Sequence, residues 1–219
     1  MKTQTYRLID LVFNLVILVS TAWAVGYYFF SGPDVLGSMG TTCFRYFTTD
    51  SNVLMAAVSA VVCVIRVLQL KDPGRKMPLW VTILRLTGTV AVAVTLLTVV
   101  FFLVPVSCMS SGIGSVPFYF ADNIFVLHLS TPVLAIVSLL FFDREGEITR
   151  RGLLWTLLPT VVYSIVYAVL VVFVKVWYDW YGFTFGGKYY LAPVSMIAMY
   201  ALTYGIAAVL RKCRRTADA

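Results

Sequence analysis

Charge is what this sequence has least of: Asp, Glu, Lys and Arg together make up 12% of its 219 residues, whereas 60% are apolar. A soluble domain carries about 25% charged residues, so a water-facing surface cannot be built from this composition. Histidine is nearly absent too, with one copy in the chain. A single imidazole excludes haem held by two axial histidines. With no cysteine cluster at metal-binding spacing, it also leaves a zinc ion short of its usual three or four ligands. No metal and no cofactor are expected. The G-x-S-x-G elbow, the H-E-x-x-H zinc pair, the G-x-x-x-x-G-K-[ST] phosphate loop and the G-x-S-G motif of rhomboid-type proteases are all missing.

What the chain has in quantity is long apolar runs. Its mean hydropathy is +0.89, and crossing a hydrocarbon core takes about 20 helical residues. Six runs reach that length, at approximately Leu8–Phe30, Phe44–Leu70, Leu79–Val104, Asn123–Phe142, Leu153–Trp177 and Tyr189–Leu210. They are continuously apolar rather than alternating, which argues against a β-barrel. The fold class expected is therefore an all-α six-helix membrane bundle in one domain, residues 1–219. The first run follows Lys2 and Arg7 but exceeds the 7–15 residues of a signal-peptide core, so it is read as a retained helix. Self-similar halves, the mark of an inverted-repeat transporter, are not apparent.

The net charge of +7 reads as orientation rather than nucleic-acid binding, because the basic residues alternate between connections. Lys2 and Arg7 precede helix 1. Arg66, Lys71, Arg75, Lys76 and Arg85 surround the second connection, Arg144, Arg150 and Arg151 the fourth, and Arg211, Lys212, Arg214 and Arg215 the end of the chain. The first and third connections have no Lys or Arg, which places both termini on the cytoplasmic side. Short loops without N-x-[ST] acceptors lean towards a bacterial inner membrane. Cys43 and Cys108 both fall on the outer side, where a disulfide between them can form; Cys63 and Cys213 are read as reduced thiols.

Ionisable residues inside membrane helices are costly and point to function unless they can reach the interface. Arg66, Arg85 and Lys175 lie close enough to helix ends to snorkel. That leaves Arg45, Thr48, Thr49, Asp50, Ser51 and Asn52 opening helix 2, and Asp122, Asn123 and His128 opening helix 4. At 1.5 Å per residue, Thr48 lies about 6 Å below the start of helix 2 and His128 about 8 Å below the start of helix 4, at a common depth. Arg45, Thr48 and Asn52 at i, i+3 and i+7 share a stripe. A hydroxyl beside a neutral imidazole is the pairing nucleophilic catalysis needs, with Asn52 or a nearby backbone amide as an oxyanion donor and Asp50 or Asp122 to orient the ring. The bland alternative is helix capping by Asp50 and Ser51 and hydrogen bonds back to helix carbonyls.

The run Phe44-Arg45-Tyr46-Phe47-Thr48-Thr49-Asp50-Ser51-Asn52 resembles the helix-2 signature of six-helix proteins related to the androgen-induced and androgen-dependent membrane hydrolases and their bacterial relatives. His128-Leu129-Ser130-Thr131-Pro132 resembles that family's second motif, and Trp177–Phe183 its aromatic stretch after helix 5. In the eukaryotic members a threonine nucleophile and a histidine hydrolyse fatty-acid esters of hydroxy fatty acids. The resemblance implies those roles for Thr48 and His128, with membrane lipids or fatty-acid esters as partners. After Thr48 the sequence reads Thr-Asp-Ser-Asn, as in the bacterial branch. Two rival readings use the same residues: a transporter or channel lined by Arg45, Asp50, Asp122 and His128, and a non-catalytic lipid-binding membrane protein.

Overall fold

The computed structural model describes residues 2–31, 38–143, 145–146 and 148–217. Among these, six helices are long and apolar enough to cross a membrane: α1 (Thr3–Phe30), α2 (Phe47–Lys71), α3 (Leu79–Ser110), α4 (Asp122–Phe142), α5 (Arg150–Phe173) and α6 (Tyr189–Arg214). The chain is an integral membrane protein, as its composition requires. Residues 32–37 of the first connection, and Arg144 of the basic set, lie outside the described residues.

α3 is the central element, packed against α2, α4, α5 and α6. From Arg85 to Thr95 every one of its residues is buried, the pattern of a helix apolar around its whole circumference. Small residues let its neighbours come close. A Cβ at Gly88 would lie 3.1 Å from Met55 Sδ and 3.3 Å from Val58 Cγ2, both on α2. Hydroxyl pairs tie helices across the bundle, with Thr21–Thr131 at 2.8 Å and Ser51–Thr95 at 2.9 Å. Such contacts supply part of the association energy that the hydrophobic effect does not provide between helices in lipid.

The helices contain wide π-type turns, and two of these precede a proline: Val99–Leu103 before Pro105 and Val126–Ser130 before Pro132. Proline has no N–H, so the ladder bond it would have given to the carbonyl four residues back is missing, and the chain there relaxes into i→i+5 bonding. The second of these turns carries His128. Helix ends differ from expectation in one place that matters. α2 opens at Phe47, because Gly40–Arg45 form a separate 3₁₀ turn closed by extended Tyr46. The stripe of Arg45, Thr48 and Asn52 is therefore broken at its first member.

The larger correction concerns the arginines. Arg66 and Arg85 do not snorkel; each is 1% exposed. Arg66 Nε donates to Asp10 Oδ2 at 2.6 Å, and Arg85 Nη1 donates to the same oxygen at 2.8 Å while its Nη2 bonds Asp10 Oδ1 and Ser138 Oγ. Asp143 completes the pair, 3.4 Å from Arg66 and 3.6 Å from Arg85. Glu145 then collects Arg7, Arg66, Gln69 and the Met77 amide, and Arg214 seals the α4–α5 connection through the carbonyls of Asp143, Glu145 and Gly146. Gly146 has φ +80°, and a Cβ there would come within 2.8 Å of Thr82 Oγ1. Arginines whose guanidinium groups find carboxylates inside the bundle have no reason to reach the interface. This end of the molecule is a charged knot joining α1, α2, α3, α4 and α6.

Candidate active site

The opposite end is aromatic, and there Thr48 and His128 line the same cavity, of about 240 Å³. Its walls are Tyr28 of α1, Tyr46, Leu103, Phe118, Tyr119, Ile124, Leu127, Trp180 and Tyr181. Thr48, Leu103 and Tyr181 also line a second, narrower cavity of about 40 Å³ that continues between α2, α3, α5 and α6. Thr48 therefore stands at the partition between an aromatic chamber holding the imidazole and an apolar annex walled by Val94, Val99, Phe183 and Met199.

His128 is held by one backbone contact. Its Nδ1 lies 2.8 Å from the Tyr119 carbonyl, and since a carbonyl only accepts, Nδ1 carries the proton. A neutral ring then has its lone pair at Nε2, the form needed of a base. The carbonyl is available because the short helix Val116–Phe120 stops at extended Ala121, which leaves its last carbonyls without intrahelical donors. The Tyr119 hydroxyl, 2.6 Å from Ser107 Oγ, fastens that segment to α3.

Thr48 is set by its neighbour one turn on. Asn52 is fully buried, and its amide donates to the Thr48 carbonyl at 2.7 Å and the Leu127 carbonyl at 3.0 Å. Both N–H groups are spent, so Asn52 is not the oxyanion donor expected of it. It is a clamp that holds the Thr48 turn of α2 against the turn of α4 that carries His128. Ser51 adds a bond to the Thr48 carbonyl and one to Thr95.

The other charged candidates lie elsewhere. Arg45 is exposed at the end of the 3₁₀ turn, where its carbonyl accepts from Tyr163 at 2.6 Å. Asp50 lines a separate groove with Phe44, Leu158, Val162 and Trp177. Asp122 is exposed and has φ +50°. Neither carboxylate orients the imidazole, because a helix-end carbonyl already does. The disulfide that the outer placement of the two cysteines allows is not formed: Cys43, buried with Ala24, Tyr28 and Leu127, and Cys108 are both free thiols. Among the described residues no group of three or more His, Cys, Asp or Glu side chains is placed to hold a metal ion. No family model, no curated protein and no solved structure matches the chain.

Two residues outside the expected set prove central, Tyr181 and Asp179, both in the connection between α5 and α6. The Tyr181 hydroxyl accepts the Phe47 amide proton at 3.1 Å, with the side chains of Thr48 and Tyr163 beside it. Asp179 folds the loop that delivers Tyr181. Its Oδ1 accepts from Tyr167 Oη at 2.8 Å and the Phe183 amide at 2.9 Å, and its Oδ2 from the Thr184 amide at 2.8 Å and hydroxyl at 2.6 Å. The aspartate with aromatic neighbours was visible in sequence, but it reads as an interfacial belt.

Burial would raise the Asp179 pKa, yet the hydrogen bonds from Thr184, Tyr167 and Phe183 outweigh it and hold the carboxyl below the ordinary range. A carboxylate with a depressed folded pKa contributes its stability in full above the unfolded value, about 3.9, and loses it as pH falls through the folded one. Acid titration should therefore release the loop below about pH 4, seen as a change in Trp177 and Trp180 fluorescence. Asp179→Asn should already be loosened at pH 7 and show no such acid step; an unchanged acid transition in that variant would assign the release to another group.

Proposed function

We propose that this protein is an intramembrane hydrolase of lipid esters, with Thr48 as nucleophile and His128 as general base, and that the aromatic end faces away from the cytoplasm. The observation that supports it best is the shared chamber: a hydroxyl and an imidazole with a free Nε2 face one cavity, and the apolar annex meets them at Thr48. The orientation rests on the basic residues gathered at the other end. The sequence resemblance described above points to the same two residues and to fatty-acid esters of hydroxy fatty acids as the substrate class.

The steps follow from the groups present. The ester enters the aromatic chamber with its carbonyl beside Thr48, and the narrow annex takes only the first carbons of its acyl group. Thr48 Oγ1 bonds to the carbonyl carbon as His128 Nε2 takes its proton. The tetrahedral adduct collapses by breaking the bond to the alcohol oxygen, which takes the proton from His128 and leaves as the alcohol. Water, losing a proton to Nε2, then attacks the acyl-threonine ester. The Thr48–acyl bond breaks, Oγ1 is reprotonated, and the fatty acid departs. The Asn52 clamp keeps the two reacting helix turns in register throughout, which is where positioning contributes to rate.

The direct test is covalent. A long-chain fluorophosphonate, which reacts with activated hydroxyl nucleophiles, should label the wild-type protein in nanodiscs, and peptide mapping should place the adduct on Thr48. A protein that stays unlabelled while lipids still co-purify would replace the hydrolase with the lipid-binding reading.

A further inference from the structure

The clamp role of Asn52 takes its amide away from the negative charge that develops on the carbonyl oxygen, and donors to that charge are commonly the largest single contribution to acyl-transfer rates. Tyr181 is placed to fill the gap. It belongs to both walls that Thr48 belongs to, one in the chamber with His128 and one in the annex. Its oxygen already accepts the Phe47 amide proton at 3.1 Å, so its own O–H is left to donate, and the side chains of Thr48 and Tyr163 are both beside it.

Three further features fix that hydroxyl in place. Phe47 is the first residue of α2, and its amide is one of the helix-start N–H groups without an intrahelical acceptor, so the bond to Tyr181 is independent of the helix ladder. The Tyr181 ring packs against Tyr163, Tyr167 and Phe183 with centroids 6.3, 5.7 and 5.7 Å away. The Tyr181 amide donates to Tyr167 Oη at 3.3 Å, which links the residue to the Asp179 knot. Burial pushes the Tyr181 phenol up to about 12, so it keeps its proton at neutral pH and can serve as a donor.

We infer that the Tyr181 hydroxyl is the oxyanion donor of this site, giving its hydrogen bond to the carbonyl oxygen of the substrate as Thr48 bonds to the carbonyl carbon. The inference rests on the hydrolase reading and adds a catalytic residue to it. In the resting protein the phenol is next to Thr48 Oγ1. In the tetrahedral adduct the oxyanion is attached to the same carbon as that oxygen, so a small rotation of the O–H transfers the hydrogen bond without moving the ring. When the adduct collapses to the acyl-threonine the bond weakens, and it strengthens again when water attacks. Strength that peaks in the transition states raises kcat rather than substrate affinity.

The experiment compares full-length wild type, Tyr181→Phe and Thr48→Ala in nanodiscs, using a long-chain fatty-acid ester and a long-chain trifluoromethyl ketone that forms a charged adduct with a nucleophilic hydroxyl. Tyr181→Phe should lower kcat by about 10²–10³-fold with KM nearly unchanged, and should weaken the ketone in parallel with kcat. A second substitution, 3-fluorotyrosine at 181, preserves ring and packing while making the phenol more acidic, and should raise kcat at constant KM. If Tyr181→Phe keeps wild-type kcat and ketone affinity while Thr48→Ala is inactive, the donor role is overturned and the hydrolase stands. Equal kcat in the fluorotyrosine protein would likewise overturn it, even if Tyr181→Phe fails to fold. If wild type itself neither hydrolyses the ester nor binds the ketone covalently, the hydrolase reading fails and Tyr181 falls with it.

Discussion

Replacing Asp10 with alanine should unfold this protein more readily than any other single truncation in the basic end. Asp10 is fully buried and bonds two arginines, Arg66 at 2.6 Å and Arg85 at 2.8 Å, together with Ser138 at 2.8 Å. Removing it leaves two guanidinium groups that share Asp143, and of the two Arg66 alone also reaches Glu145, which Arg7 already pairs. Stranding a buried charge by deleting its partner costs about 3–5 kcal/mol, a large part of the stability of an ordinary domain. Asp10→Asn keeps the shape but loses the charge, and should be damaging as well. The arginines set the sign of the test. If the cost of Asp10→Ala is stranded charge, then Asp10→Leu combined with Arg85→Met should lose less stability than the two single changes added together, because no unpaired pair-member is left behind. Thermal unfolding in one detergent reads both. Strict additivity would mean that Asp10 and Arg85 contribute independently, and the knot would then be a collection of separate bonds.

The sequence made the six helices and their order legible because lipid imposes them: apolar runs of spanning length have no other stable arrangement. Pro105 and Pro132 were visible, but the wide turns they cause were not read from them. The common depth of Thr48 and His128 follows from charge placement and helix rise, and both residues line one chamber, although α2 starts at Phe47 rather than at Phe44. What was hidden is partnership over long sequence separation. Arg66 and Arg85 near helix ends look like snorkelling residues until Asp10 and Asp143, 56 and 58 positions away from them respectively at the nearest, are brought alongside. A signal was present, since Asp10 is an acid inside the first apolar run and needed a cation. Asn52 differs from expectation for a related reason: a buried amide on a polar stripe looks available, while its two acceptors, the carbonyls of Thr48 and Leu127, are backbone groups that sequence does not display. The same holds for His128, whose partner is a carbonyl freed by the end of a five-residue helix.

Thr48→Ala and His128→Ala should each abolish ester hydrolysis while leaving the fold intact, and together they should be no worse than either alone. Neither side chain holds the bundle. The Thr48 hydroxyl is not part of the Asn52 clamp, which uses the Thr48 carbonyl, and the His128 ring is hydrogen-bonded through Nδ1 to a single carbonyl. Loss of a general base is worth about 10²–10⁴-fold, and loss of the nucleophile removes the covalent route altogether. Residues that act as one unit do not add: without Thr48 there is no proton for His128 to take, so the second deletion has nothing left to remove. Thr48→Ser should retain activity, because the hydroxyl stays and only a methyl group is lost. Measured against a long-chain ester, independent, multiplying losses for the two alanine variants would separate these residues into different roles. Ester hydrolysis by Thr48→Ala at the wild-type rate would move the chemistry elsewhere in the chamber. Flux of a small solute into liposomes, unaffected by either change, would instead favour the transport reading, in which the chamber is a passage and Thr48 merely lines it.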